Sequence, residues 1–359
     1  MSFQTIRRSS SNLPLWYQTT QKKYSLQVHE SEVPPPKTFT QKLRKHFSLY
    51  WWIYLAVSSI CLLNITLTSI YLLIPSIAQR NVDESYLYCT DLKFEKPTPH
   101  SISLSQNVLL YTKTHFRPIL KPFTASIHSI NNGIYSPVPM STLQFPQTRT
   151  RSPVSSIGLE KTVLEFQSDA WLYEVSKFSS QILSQEFVTM AIVGNGKVHL
   201  GALPEMNVHY NQSISLRGLN GLRGLKVSDL KMNLNATDGE PNMSGQTTIF
   251  NPSVITAEMG NVTFSISTAK AGIVGNSTIE NLTIRPGQNR FFLTSNIDKY
   301  KIAKSMDIST RMVGLIAKGS SVIYNGEHIP YYEKAISRHE MVFALNVTEI
   351  LLNSMDHNT

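Results

Sequence analysis

Residues 218–226 read GLNGLRGLK, three Gly-Leu pairs three residues apart with a lysine at the end. Two readings with different folds behind them compete for this stretch. As a glycine-rich phosphate cradle it would belong to an α/β nucleotide-binding unit. As architecture, its glycines would permit turns or close strand approach and its leucines would pack inward. A dinucleotide loop needs G-x-G-x-x-G between a strand and a helix, and a P-loop needs G-x-x-x-x-G-K-[ST], because backbone N–H groups must converge on phosphate at a helix N-terminus. The spacing here is G-x-x-G-x-x-G, and Lys226-Val-Ser-Asp-Leu follows without a long amphipathic helix. The stretch therefore reads as architecture.

The surroundings support strands. Val262-Thr-Phe-Ser-Ile-Ser267 and Asn281-Leu-Thr-Ile-Arg285 alternate apolar and polar residues, the period of half-buried antiparallel strands. Asn251-Pro252, Gly275-Asn276, Pro286-Gly287 and Asn325-Gly326 punctuate the runs as turn signals. Short strands at such spacing predict a mainly β fold of sandwich type rather than an α/β fold. One helix is expected at about 169–184, capped by Ser168 or Asp169, with Leu172, Val175, Ser179, Ile182 and Leu183 near one face. A faint repeat relates Lys96-Pro97 through Leu110 to Asn251-Pro252 through Phe264.

Upstream, residues 49–74 (LYWWIYLAVSSICLLNITLTSIYLLI) carry no charge and as a helix span roughly 39 Å, enough for a hydrocarbon core of about 30 Å. Tyr50, Trp51, Trp52, Tyr54 and Tyr71 lie near its ends, where aromatic rings anchor at headgroups. Lys42, Arg44 and Lys45 precede it, whereas Asp83 and Glu84 follow Arg80. The positive-inside rule then predicts a cytosolic N-terminus and a luminal or extracellular remainder. The alternative, a signal peptide cleaved near Ser76-Ile77-Ala78, is opposed by the 48-residue leader and by an apolar run longer than an h-region. Polar Asn64, Thr66 and Thr68 in the span either bond across a helix dimer or bond their own backbone, and the second is favoured.

The formal charge of +9 is uneven: residues 1–48 hold 8 Lys/Arg against 2 Asp/Glu, leaving 25 against 22 beyond. A basic tail rather than a basic folded face does not point to nucleic acid. The tail, rich in Ser, Thr, Gln and Pro, is expected to be disordered and to favour an anionic leaflet through Lys42–His46. Arg7–Ser11 and Pro34–Lys37 offer a kinase-site and a polyproline contact pattern for a cytosolic partner. Seven sequons follow the span, at Asn211, Asn235, Asn242, Asn261, Asn276, Asn281 and Asn346, with an eighth, Asn64, inside it. They are the candidate glycosylation sites, on the side that the topology places in the lumen.

No catalytic, cofactor or metal constellation emerges. The histidines are scattered, and the pair His199 and His209 is too widely spaced for a zinc helix. Asn233-x-Asn235-x-x-Asp238-Gly239-Glu240 resembles a calcium loop, but its ligands fall out of register and a turn fits better. There is no G-x-S-x-G, and Cys61 and Cys89 supply neither a disulfide framework nor a nucleophile motif. The chain is expected not to be an enzyme and to need no cofactor. Carboxylates that meet only in space keep a hydrolase reading open behind it.

Gly218–Asp229, Phe250–Phe264 and Ile273–Gly287 together resemble a family of fungal single-pass membrane proteins of unassigned function, whose luminal parts resemble the type-2 late-embryogenesis-abundant (LEA) domain. The likeness spans about residues 70–350 and is densest at 200–290. It implies tandem LEA-like antiparallel β-sandwiches on the luminal side of one N-terminal transmembrane helix, at about 81–200 and 201–355, tethered by a linker of about ten residues. It further implies a non-enzymatic glycoprotein module that binds or transfers lipid at the bilayer, in the vacuolar or plasma membrane. The alternative is a structural or adaptor glycoprotein whose cytosolic tail recruits a partner.

Overall fold

The computed structural model describes residues 39–113, 117–233, 235–237 and 239–355. The expectations for the tail before residue 39 lie outside the described residues, as does Asp238 of the calcium-like turn.

The helix of the apolar segment is longer than 49–74. It starts as α1 (Phe39–Thr68), passes through a π-helical turn (Ser69–Leu73) and ends as α2 (Ile74–Asp83). From Leu43 to Asp83 it is long and apolar enough to cross a membrane. Pro75 does not stop it: the proline follows directly on the π-helical turn, a local adjustment that accommodates its missing N–H within the helix. Asn64 Nδ2 donates to the Ile60 carbonyl at 2.9 Å and Thr66 Oγ1 to the Leu62 carbonyl at 2.8 Å. These two polar groups therefore bond their own helix.

The described residues from Leu67 onward form one compact unit. Its strands are β1 (Tyr86–Thr98), β2 (Ser101–Tyr111), β3 (Ile119–Leu120), β4 (Phe123–Asn131), β5 (Ile134–Tyr135), β6 (Ser141–Phe145), β7 (Thr148–Arg149), β8 (Val154–Glu165), β9 (Phe187–His199), β10 (Met206–Arg217), β11 (Lys226–Met232), β12 (Met243–Asn251), β13 (Ile255–Thr268), β14 (Gly272–Ile284), β15 (Gly287–Ile297), β16 (Met312–Tyr324), β17 (Glu327–His328) and β18 (Glu340–Asn346). The helices among them are α3 (Asp169–Ser184), α4 (Lys299–Ser305), α5 (Pro330–Ile336) and α6 (Val347–Met355). The protein is thus mainly β, as its alternation predicts.

The strands make two sheets. The smaller, of seven strands, runs β5-β4-β9-β3-β7 with β10 on β9 and β6 on β4. The larger, of eleven, runs β11-β12-β15-β14-β13-β1-β2-β8 and branches at β13. The start of β13 pairs in parallel with β1 (Leu92 with Ile255), while its later half pairs antiparallel with β16 (Asn261 with Ile323). This sheet draws on both halves of the sequence, β1, β2 and β8 coming from before residue 200.

Where a ten-residue linker was expected, α2 packs on the smaller sheet. The Gln79 amide donates to the His209 carbonyl and accepts from the His209 N–H, both at 2.8 Å, in the manner of an added strand residue on β10. Ile74, Ala78 and Val82 pack against the core behind it.

The turn signals fare unevenly. Asn325 and Gly326 turn between β16 and β17 with positive φ at both, and Pro286 lies between β14 and β15. Gly275-Asn276 is instead inside β14, where a Cβ on Gly275 would run into the Asn296 carbonyl of β15. That glycine serves close strand approach. The repeat survives as local order only: β1 and β2 pair with each other, whereas β12 pairs with β11 and β15 and not with β13.

Candidate functional site

The helix at Asp169–Ser184 forms where expected, its Ser168 Oγ accepting from the Trp171 N–H at 3.4 Å. Its fully buried residues, however, are Glu174, Ser176, Phe178 and Gln181. The expected face is only half-buried because Val175, Ser179, Ile182 and Leu183 look onto a cavity of about 200 Å³.

The stretch 218–226 builds the adjoining wall. Leu219, Leu222 and Leu225 all line this cavity. Gly218 lies against the C-terminal end of α3: its N–H donates to the Glu186 carbonyl at 2.8 Å, and a Cβ there would meet the Ile182 carbonyl oxygen at 2.8 Å and the Gln185 carbonyl oxygen closer still. Gly221 and Gly224 adopt φ of 67° and 93°, which side chains with a Cβ disfavour. Each glycine thus directs a leucine into the wall.

Both sheets contribute the rest. Leu92 and Leu104 of the larger sheet and Leu143 and Ile192 of the smaller one line the same space. A second cavity of about 360 Å³ lies among Leu230, Met243, Ile297, Ile302, Val313 and Ile350. Val227, Ile266, Ser277, Leu293 and Phe343 border both, so the two cavities adjoin across these side chains. Alternate residues of β11–β16 and β18 face inward and line this space. Its two outer strands do not close on each other: β11 pairs only with β12, and β18 only with β16. Along this seam Val227, Met232, Met341, Phe343 and Leu345 are half-buried. Helix α6 crosses from β18 towards β11, where Ser354 Oγ accepts from the Met232 N–H at 2.8 Å.

The chemistry of the lining is hydrocarbon. No Asp, Glu or Arg lines either cavity, and the one Lys, Lys299, donates through Nζ to the Asn233 carbonyl at 3.2 Å. Burial pushes the Tyr331 and Tyr332 phenols far above the ordinary tyrosine range, so both stay neutral. Tyr331 Oη donates to the Ser101 carbonyl at 3.2 Å. Among buried side-chain atoms of the described residues, Gln106 Nε2, Thr112 Oγ1 and His199 Nδ1 lack a hydrogen-bond partner, and of these residues Gln106 lines a cavity. No group of three or more His, Cys, Asp or Glu able to hold a metal occurs among the described residues. Cys89 is buried, and desolvation pushes its thiol up to about 11.

The sequon asparagines lie away from the cavity. Asn211, Asn235, Asn261, Asn276, Asn281 and Asn346 are exposed. Asn261 and Asn281 meet on β13 and β14, the Asn261 Oδ1 accepting from the Asn281 N–H at 3.0 Å. Asn346 Oδ1 accepts from the Thr348 N–H at 3.0 Å at the start of α6. Asn242 is half-buried and tied at both amide atoms to Ile297, donating at 2.8 Å and accepting at 2.9 Å. Val262, Phe264, Ile266, Leu282 and Ile284 of the lining fall in the alternating runs read from sequence, whereas the cavity residues of β18 were not singled out, although Met341, Phe343 and Leu345 carry the alternation that places them on one face.

Residues 138–266 match the family described as "Protein of unknown function (DUF3712)". No curated protein matches. Among solved structures, a red sea bream transglutaminase is 10% identical with a TM-score of 0.24, covering 72% of this chain and 31% of its own. The periplasmic chaperone SfaE is 10% identical with a TM-score of 0.14, covering 72% of this chain and 98% of its own. The chain thus spans about a third of the transglutaminase, and at these TM-scores neither neighbour informs fold or function.

Proposed function

We propose that the chain is a single-pass membrane protein whose β-rich part is a non-enzymatic module that binds or transfers lipid beside the membrane that holds it. One observation carries the reading: two adjoining apolar cavities, the first walled by both sheets and α3, lie beside the unpaired edges of β11 and β18 and have no Asp, Glu or Arg in their lining to meet a polar substrate. Pockets for small molecules are mostly apolar with a few polar groups, and their volumes start at about 300 Å³. These two have the apolar part nearly alone. In this reading the module lies on the luminal or extracellular side of the vacuolar or plasma membrane, carries glycans on exposed sequons, and packs as LEA-like sandwiches of a fungal family.

The test is lipid extraction. Residues 74–359, which keep the Gln79–His209 bonds, are incubated with liposomes carrying a fluorescent phospholipid and re-isolated. Co-isolated lipid supports the reading. A module that leaves all lipid in the liposomes removes its basis and shifts weight to an adaptor role for the tail.

A further inference from the structure

Resting on that reading, we infer the ligand class: a flexible acyl-chain lipid with two chains, lying along the two adjoining cavities with its headgroup at the β11–β18 seam. Length is the first ground. Inward-facing residues of β13 line the first cavity from Ile255 to Ile266, where the second begins, a contour of roughly 35 Å at about 3.3 Å per strand residue with a bulge at Gly260. That is close to the bilayer hydrocarbon core of about 30 Å, or two acyl chains end to end.

Shape is the second ground. The walls are twisted strands, so the space between them curves. A chain of single bonds follows such a path, whereas a rigid fused-ring sterol about one leaflet deep would leave much of the length unfilled. Unfilled apolar space forfeits packing contacts along its whole lining.

Charge fixes the orientation. A zwitterionic or anionic head has no partner inside, because the lining lacks Asp, Glu and Arg and its one lysine is engaged at Asn233. Beside the seam the lining residues Val227, Met341 and Phe343 are half-buried, and exposed Lys226 and Glu340, the latter paired with Lys318 at 3.2 Å, stand on its two strands. A head there stays in water while its chains enter between two strands that share no hydrogen bonds.

The experiment uses the full chain reconstituted in liposomes with one of two photoactivatable probes: phosphatidylcholine bearing a diazirine midway along one chain, or cholesterol bearing a diazirine on its ring system. Labelled peptides are mapped by mass spectrometry. The expected result is phosphatidylcholine labelling of β13, β15 and β18 peptides containing Phe264, Leu293 and Phe343, at least fivefold above cholesterol labelling. Val227→Trp, which fills the junction from a half-buried edge position, should cut that labelling at least fivefold while labelling of residues 49–74 is unchanged. Equal or stronger cholesterol labelling of the same peptides would overturn the acyl-chain assignment and leave the lipid-binding reading standing. Labelling confined to residues 49–74 by both probes would overturn both.

Discussion

Replacing Phe343 by Asp probes the seam most sharply. Phe343 borders both cavities, while its neighbour Val342 points to the other face of β18 and is 76% exposed. Fully burying a Phe is worth about 1.5–3 kcal/mol, so the half-buried ring contributes about 1 kcal/mol to the fold. β18 is an edge strand, and Phe343→Asp should leave the protein folded. Its effect on ligand is larger: a hydrated carboxylate denies apolar contact to about four methylenes at about 0.8 kcal/mol each, about 3 kcal/mol, or roughly a hundredfold in affinity. The assay is displacement of a fluorescent acyl probe from residues 74–359, with a thermal melt in parallel. Val342→Asp on the opposite face should change affinity less than twofold, since a single residue along a strand reverses the side chain. Acidification should restore part of the Phe343→Asp loss, because an apolar site raises a carboxyl pKa and favours its neutral form. Equal losses for both variants, or no loss for Phe343→Asp, would refute the cavity as the binding site.

Four further outcomes are expected. Gln106→Leu should leave the melting temperature unchanged or raise it, because an unpartnered buried amide costs about 1–3 kcal/mol; a clear loss would show that the amide is satisfied. Gly218→Ala should destabilise by about 1–3 kcal/mol as its Cβ meets the α3 carbonyls, whereas Gly158→Ala, with open space around it, should be neutral or slightly stabilising. Asn242→Ala, losing both bonds to Ile297, should cost about 1–3 kcal/mol where Asn276→Ala stays within about 0.5 kcal/mol, and glycopeptide mapping should find Asn242 the least occupied of the seven sequons. Burial works against the Glu333 charge, but hydrogen bonds from His328 at 2.6 Å, the Val322 N–H at 3.0 Å and Ser321 at 3.3 Å outweigh it and hold the carboxyl below its ordinary value. The resulting stability is present above the ordinary carboxylate pKa of about 4.3 and lost as pH falls through the lower folded value, so Glu333→Gln should flatten the melting curve's decline on acidification below that pH.

Local features were legible because they are written at short range. The Ser168 cap, the Asn325-Gly326 hairpin and the alternation of Val262–Ser267 each depend on a few adjacent residues. The cavity depends on pairings far apart in the chain: Leu92 with Ile255, and β16 between β13 and β18. Periodicity says that Met341, Phe343 and Leu345 share a face, but not that the face borders a cavity. The α3 face illustrates the limit. Leu172, Val175, Ser179, Ile182 and Leu183 were placed near one face, and its apolar members do pack against the core, but nothing local says that Val175, Ser179, Ile182 and Leu183 also border a cavity. The Gly-Leu stretch held more information than its turns suggested, since each leucine reaches that same wall. Gly275-Asn276 misled because glycine serves close strand approach as readily as a turn.

Native mass spectrometry of residues 74–359, secreted from cells and trimmed of glycans, tests the central claim most directly. The expected spectrum shows a stoichiometric adduct with the mass of a diacyl lipid, absent from the Phe343→Asp variant and present in Val342→Asp. A bare polypeptide mass in every preparation, including after incubation with liposomes, would contradict the lipid-binding account.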